Sequence, residues 1–249
     1  MAKLSVITIT LNEEQNIEAC LESVRWADEI IVLDSGSTDR TVHIARRFTK
    51  KVFSVKWRGY GGTRNIGLDR AKGDWIFWLD ADERVTPELA QEIREIILRN
   101  DPGIAGYGVA RRAYFLGRWI RHCGWYPSRV TRVFRRSTAR FTENRVHEAL
   151  RLEGAVAYTR HDLIHFTDPD LHHYFEKFNR YTSLAAQDLR EQGRKFSLLS
   201  LLVRPPFTFI KMYLIRLGFL DGVEGFILCL LSSVYVFTKY AKLWEFRKS

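Results

Sequence analysis

The chain has 249 residues, 46% hydrophobic and 27% charged, a balance that excludes a disordered chain and allows one large domain or a domain with an appendage. Its formal charge of +10 asks for an anionic partner: nucleic acid, anionic lipid or a phosphorylated substrate. Three scattered cysteines, Cys20, Cys123 and Cys229, never form a C-x-x-C pair; they exclude a disulfide framework and a cysteine-based zinc site and point to a reducing compartment.

Leu4 to Thr10 is β-branched and reads as a first buried strand. With Leu11 it is too short, and too rich in Ser and Thr, for a signal peptide. After Asn12-Glu13-Glu14, the residues Ile17, Leu21 and Val24 form a helical stripe. Ile30 to Leu33 is a second strand, followed by Asp34-Ser35-Gly36-Ser37-Thr38-Asp39, a polar turn that can start a helix carrying Val42, Ala45 and Phe48. Val52 to Val55 is a third strand. Gly59 to Gly62 then loops into a helix from about Thr63 to Ala71.

Trp75 to Leu79 is an apolar run ending in Asp80-Ala81-Asp82-Glu83. Crowded carboxylates resist joint ionisation unless a cation sits among them, and oxygen ligands of this kind suit Mg²⁺ or Mn²⁺ shared with substrate phosphates. The alternative is a solvated turn leading into a helix. Such a helix is expected here, with Thr86 as N-cap, Pro87 at its first position, and Leu89, Ile93, Ile96 and Ile97 on one face. Strand and helix alternate four times, the signature of an α/β fold with a parallel sheet, and ligands bind such sheets beyond the carboxyl ends of the strands. The chain lacks both G-x-G-x-x-G and the P-loop pattern.

Ser5 to Glu14, Val32 to Asp39 and Leu79 to Asp82, with Gly62-Thr63-Arg64-Asn65-Ile66-Gly67 before the last, occur in an order that resembles the family 2 glycosyltransferases of the GT-A fold. That family inverts the anomeric centre of a nucleotide sugar, and the resemblance covers roughly the first 150 residues. It implies that Thr10, Leu11 and Glu13 wall a uracil pocket and that Asp34 takes the base. It further implies that Arg64 lies near the diphosphate, that Asp80 lies near the ribose or a metal, and that Asp82 lies on the metal, Mg²⁺ or Mn²⁺. Ile9 and Leu11 stand where the family often has Pro and Tyr, so base stacking is weaker here or comes from elsewhere.

Gly106 to Arg112 and Val130 to Arg135 read as strands, with Trp119, Trp125 and Tyr126 between them to stack on sugar rings or to pack a core. In Asn144-Arg145-Val146-His147-Glu148, an inverting transfer finds a candidate base in Glu148, with His147 second. A surface ion pair among arginines is the alternative for Glu148. Arg151 stands where H-E-x-x-H needs its second histidine, which excludes a zinc protease. The Val-His-Glu also resembles the lipopolysaccharide-core members of the family. Among His161, His165, His172 and His173, His165 is the candidate for the acceptor site and the others are expected to be structural or solvated.

From Asp170 the pattern changes to long helices. Gly225 to Thr238 carries no charge but, at 14 residues, falls short of the roughly 20 that cross a bilayer. Basic residues flank the apolar runs, so helices lying in a membrane interface are expected, or a helical subdomain packed on the enzyme or a partner. The expected organisation is a GT-A catalytic domain over 1–168, with a nucleotide-sugar half of about 1–100 and an acceptor half of about 101–168, then a membrane-associating helical region over 169–249. The activity the resemblance implies is transfer of a hexose, glucose from UDP-glucose, to a membrane-held glycolipid of the lipopolysaccharide inner core, at the cytoplasmic face of the inner membrane. The competing readings are a nucleotidyltransferase and a basic membrane- or nucleic-acid-binding scaffold. No nucleic-acid-binding module is recognisable, so nucleic acid is not expected.

Overall fold

The computed structural model describes residues 1–142 and 149–247. The chain divides into two compact units: Met1–Arg111 with Ser128–His165, and Arg112–Pro127 with Phe166–Ser249. The sequence-based boundary at 168 was a single cut, whereas the second unit also takes in the segment 112–127.

The first unit opens with β1 (Leu4–Thr10), α1 (Ile17–Glu22), β2 (Glu29–Asp34), α2 (Thr41–Ala45), β3 (Val52–Ser54), α3 (Gly59–Arg70) and β4 (Trp75–Trp78). These four strands are parallel in the order β3-β2-β1-β4, in the register Thr10↔Asp34 and Ile7↔Trp78. Alternation along each strand feeds two layers. Val6, Val32 and Phe77 face a cluster with Ile17 and Leu21 of α1 and Ile44 of α2. Ile7, Leu33 and Ile76 face the opposite cluster with Leu68 of α3. The glycines expected as a loop, Gly59 to Gly62, lie inside α3, because the helix begins four residues earlier than the apolar pattern shows.

The chain continues through β5 (Glu83–Val85), α4 (Pro87–Arg99), β6 (Ile104–Phe115), β7 (Arg118–Trp119), β8 (Ser128–Arg135), β9 (Ala139–Phe141), β10 (Leu150–Leu152), β11 (Ala155–Tyr158) and β12 (Leu163–Asp168). The Thr86 hydroxyl accepts the Leu89 N–H at 3.2 Å, and Asn100 closes α4 in the left-handed region, as the cap residues dictate. The main sheet runs β3-β2-β1-β4-β8-β6-β12-β5, and β8 enters antiparallel to both β4 and β6. The parallel half therefore ends at β4. Beyond it, antiparallel strands bring residues from distant parts of the chain alongside the tip of β4.

The second unit is helical: α5 (Leu171–Glu191), α6 (Leu198–Ile210) with a π-helical turn Lys211–Ile215, a 3-10 turn Gly218–Asp221, and α7 (Gly222–Glu245). Its core joins Phe115, Ile120 and Cys123 to Leu228 and Cys229. One expectation needs correction here. Residues 198–215 and 218–245 form 18- and 28-residue apolar segments, each long and apolar enough to cross a membrane by length and composition. The charge-free window of 14 residues is only part of α7, which continues through Lys239 and Lys242.

Candidate active site

The tips of β1, β2 and β4 converge, and the loops beyond them are laced together. The N–H groups of Asn12 and Glu13 donate to Ser37 Oγ (2.9 Å) and Thr41 Oγ1 (2.8 Å), and Thr38 N–H donates to Asn12 Oδ1 (2.9 Å). Asp34, buried at the end of β2, accepts the N–H groups of Gly36 (3.1 Å) and Ser37 (3.2 Å). Its carboxylate holds the turn that Gly36, at φ +107°, makes possible. Leu11 is half exposed beside it, and Glu13 accepts from the Asn16 amide at 2.9 Å. The hydroxyls of Thr10 and Ser35 are buried at these two tips without a hydrogen-bond partner. Buried polar atoms are ordinarily satisfied, so two orphans at the mouth of a parallel sheet mark a place where a ligand's polar edge fits.

At the tip of β4 the acids do not share one environment. Asp80 Oδ2 lies 2.7 Å from a guanidinium nitrogen of Arg132, and Asp80 Oδ1 accepts the Trp78 indole N–H at 3.1 Å. Glu83 points inward with no solvent exposure, accepts the Asp80 backbone N–H at 3.0 Å, and forms a short ion pair with the same Arg132. Arg132, on β8, is itself buried. Burial alone would raise the Asp80 carboxyl; Arg132 and Arg64 outweigh it and hold it well below the usual carboxylate range. Glu83 goes the other way. Burial raises it, the Asp80 charge adds to that, and Arg132 only partly offsets both.

The cation among these acids is therefore in the first place an arginine, supplied from 49 and 52 residues along the chain. That corrects the premise that the acids need a divalent ion to coexist. Asp80 is committed to Arg132 and Trp78. Asp82 is left to face another group, the His165 Nε2 at 3.3 Å, with both side chains partly open to solvent. His165 arrives on β12, in register with Glu83 of β5. Among the described residues, no cluster of three or more His, Cys, Asp or Glu side chains forms a ready-made metal cage. A carboxylate facing an imidazole is nonetheless a donor pair that fits Mn²⁺, provided diphosphate oxygens and water complete the shell, whereas Mg²⁺ would rely on the Asp82 oxygens, diphosphate and water alone. Asp82 and His165 fit that ion, while Asp80 is held by Arg132 and Trp78.

Two further arginines complete the positive wall. Arg64, on α3, lies over the rings of Trp78 (5.1 Å) and Phe141 (5.2 Å). Arg111, on β6, reaches Ser128 Oγ at 3.2 Å, while its buried Nε has no partner. Burial, reinforced by neighbouring Arg132, lowers the Arg111 pKa. Arg84 stiffens the acid turn by donating to the carbonyls of Ala81 (2.9 Å) and Glu83 (2.8 Å). Sequence reasoning named Thr10, Leu11, Glu13, Asp34, Arg64, Asp80 and Asp82 as site candidates, and the structure places all seven in the first unit. It missed Arg132 and Arg111, for which no local pattern existed. Glu148 and His147 lie outside the described residues.

The glycosyl transferase family 2 model matches residues 5–149, more than half of the chain. The lipopolysaccharide core biosynthesis glycosyltransferase LpsC of Rhizobium meliloti is 32% identical, covering 97% of this chain and 92% of its own. An uncharacterized glycosyltransferase of Rickettsia typhi is 30% identical over 98% of this chain and 88% of its own. Among solved structures, Staphylococcus aureus TarS in complex with UDP has a TM-score of 0.51 at 16% identity, covering 99% of this chain and 91% of that one, a likeness of fold. The architecture is the expected GT-A α/β fold, and the chain belongs to glycosyl transferase family 2.

Proposed function

We propose that the chain transfers a hexose, glucose from UDP-glucose, with inversion, onto a membrane-held glycolipid of the lipopolysaccharide inner core, working as a peripheral protein at the cytoplasmic face of the inner membrane. The observation that carries this reading is the β4 tip: Asp82 opposite His165, beside a wall of arginines and two orphaned hydroxyls. The core acceptor is supported by the likeness to the lipopolysaccharide core biosynthesis glycosyltransferase of Rhizobium meliloti, and a UDP donor by the ligand in the TarS structure. Family membership sets aside the scaffold and nucleotidyltransferase readings.

In this mechanism the uracil and ribose lie against Thr10, Leu11, Glu13 and Asp34, where the Thr10 and Ser35 hydroxyls gain partners. Asp80 fixes Arg132, and Arg132 keeps the acid turn in shape so that Asp82 and His165 present one oxygen and one nitrogen to a divalent ion. When bound, that ion supplies a Lewis acid that neutralises the departing diphosphate. Arg64 faces the same developing charge and needs no reorganisation, because the two aromatic rings hold its guanidinium. Glu148, or in second place His147, takes the proton of the acceptor hydroxyl as that oxygen attacks the anomeric carbon. The test is UDP release from a panel of UDP-sugars, with and without Mn²⁺, in the presence of core-truncated lipopolysaccharide. UDP-glucose turnover that needs both metal and acceptor, and falls at least ~100-fold in Glu148→Gln, is expected. Wild-type turnover by Glu148→Gln removes the base assignment.

A further inference from the structure

We infer that α6 and α7 lie flat in the surface of an anionic bilayer, as an in-plane anchor that enters one leaflet and does not cross. This rests on the peripheral-membrane reading above and gives it a geometry.

On α7 the exposed residues Val223, Phe226, Leu230, Val234, Phe237 and Trp244 recur at helical spacing along one stripe. The opposite stripe, Gly225, Leu228, Cys229, Tyr240 and Leu243, is buried. A water-soluble surface helix has the reverse pattern, with polar residues outward. On α6, Leu199, Val203, Phe207 and Ile210 extend the apolar surface, and Leu214 follows on the π turn. An apolar surface of this extent marks an interaction site. Its charge names the occupant. Arg194, Lys195, Arg204, Lys211, Arg216 and Arg247 are exposed around it, whereas Asp221 is buried and Glu224 is paired with Arg118 at 3.7 Å. Apolar stripes framed by cations fit anionic headgroups above acyl chains.

Length allows crossing, since α7 has 24 residues and spans about 36 Å. What forbids it is the layer covering the buried stripe. Near the start of α7, Asp221 accepts the N–H groups of Arg121 (3.2 Å) and His122 (2.8 Å) and bonds the His122 ring at 2.9 Å. At the middle, Cys229 Sγ lies 3.5 Å from Cys123 Sγ. Along the second half runs α5. Tyr235 donates to the Tyr181 carbonyl (3.1 Å), and Lys242 donates to Asn179 Oδ1 (2.8 Å) and Ser183 Oγ (2.8 Å). This covering layer carries Arg118, Arg121 and His122 on one segment, and Glu176, Lys177, Arg180 and Asp188 on α5. A crossing α7 would take those charges into hydrocarbon, where each needs a partner or a water-lined cavity. Lying flat, the same helix keeps them in water and buries only its apolar stripe. α6 follows α7, because Ser233 Oγ donates to the Pro205 carbonyl (2.9 Å) and Phe209 meets Phe226 at 5.9 Å.

The test places a nitroxide label at Phe207→Cys, Leu220→Cys or Leu230→Cys in the full chain, with the unsubstituted protein, whose three cysteines are buried, as the labelling control. Each is mixed with phosphatidylglycerol-containing or neutral vesicles, and depth is read by relaxation with oxygen against an impermeant nickel chelate. The flat geometry predicts that all three labels sit about 5–10 Å below the headgroups of the outer leaflet. It also predicts that binding to the anionic vesicles falls about tenfold or more in high salt. A label at position 230 about 15 Å deep, with position 220 shielded from outside chelate, overturns the flat geometry and leaves membrane association standing. Failure of every form to bind anionic vesicles, or lipid-independent dimers that cover the stripes with a second copy, overturns both readings.

Discussion

Replacing Arg132 with Ala removes the cation that two carboxylates share, and the two respond differently. Asp80 has 36% of its side chain exposed and turns to water, so its half of the interaction contributes at most about 1 kcal/mol. Glu83 has no exposure and cannot turn outward. Removing one partner of a buried pair costs roughly 3–5 kcal/mol, because the other charge stays behind uncompensated. At about 2–4 °C per kcal/mol for a chain of this size, the melting temperature of Arg132→Ala should fall by roughly 6–20 °C. Removing both partners differs from removing one. Arg132→Met combined with Glu83→Gln should recover most of the loss, since apolar and neutral replacements leave no stranded charge. Thermal unfolding followed by near-ultraviolet circular dichroism measures all three proteins. An Arg132→Ala protein that melts within a degree of wild type, or a double variant no better than the single, refutes the argument that Arg132 neutralises the acid turn.

Thr10→Val tests the orphaned hydroxyl. Removing a buried, unpaired hydroxyl at constant shape should leave stability equal or raise it by about 1 kcal/mol, while UDP affinity measured by calorimetry falls by a similar amount. Lost stability with unchanged affinity would show that the hydroxyl serves the fold instead. Glu29 offers a pH test far from the site. Burial would raise its pKa, but Lys51, the Lys72 N–H and the Ser5 hydroxyl outweigh burial and lower it. A lowered carboxyl stabilises the fold fully above its unfolded value near 4.5 and loses that contribution as pH falls through the native value. Wild type should therefore exceed Glu29→Gln by about 1–3 kcal/mol at pH 7, and the gap should close in acid; a gap that widens in acid has the wrong sign.

The parallel half of the fold was readable because its determinants are local. β-branched runs set β1 and β2, Thr86-Pro87 sets the start of α4, and three polar segments follow three strands. The candidates at the tips of β1, β2 and β4 were readable for the same reason, each standing within a few residues of a strand end. Arg132 was not, and His165 was named for an acceptor site rather than for a place opposite Asp82, because antiparallel pairing of β8 with β4 and of β12 with β5 brings them in from far along the chain. Their sequence neighbourhoods, Thr131-Arg132-Val133 and Ile164-His165-Phe166, are ordinary strand text. The same distance explains the misjudged helices. The helix α7 continues through Lys239 and Lys242, and only the contacts of Lys242 with α5 show why the helix tolerates charge there.

The most direct test of the central claim is a Mn²⁺ titration read by electron paramagnetic resonance, with and without UDP, on wild type, Asp82→Asn, His165→Ala and Asp80→Asn. With UDP present, wild type should bind one ion, Asp82→Asn and His165→Ala should each lose roughly 10–100-fold or more in affinity, and Asp80→Asn should retain most of it. Binding by Asp82→Asn at the wild-type level, or its loss in Asp80→Asn alone, would contradict the claim that Asp82 and His165 hold the ion while Asp80 holds Arg132.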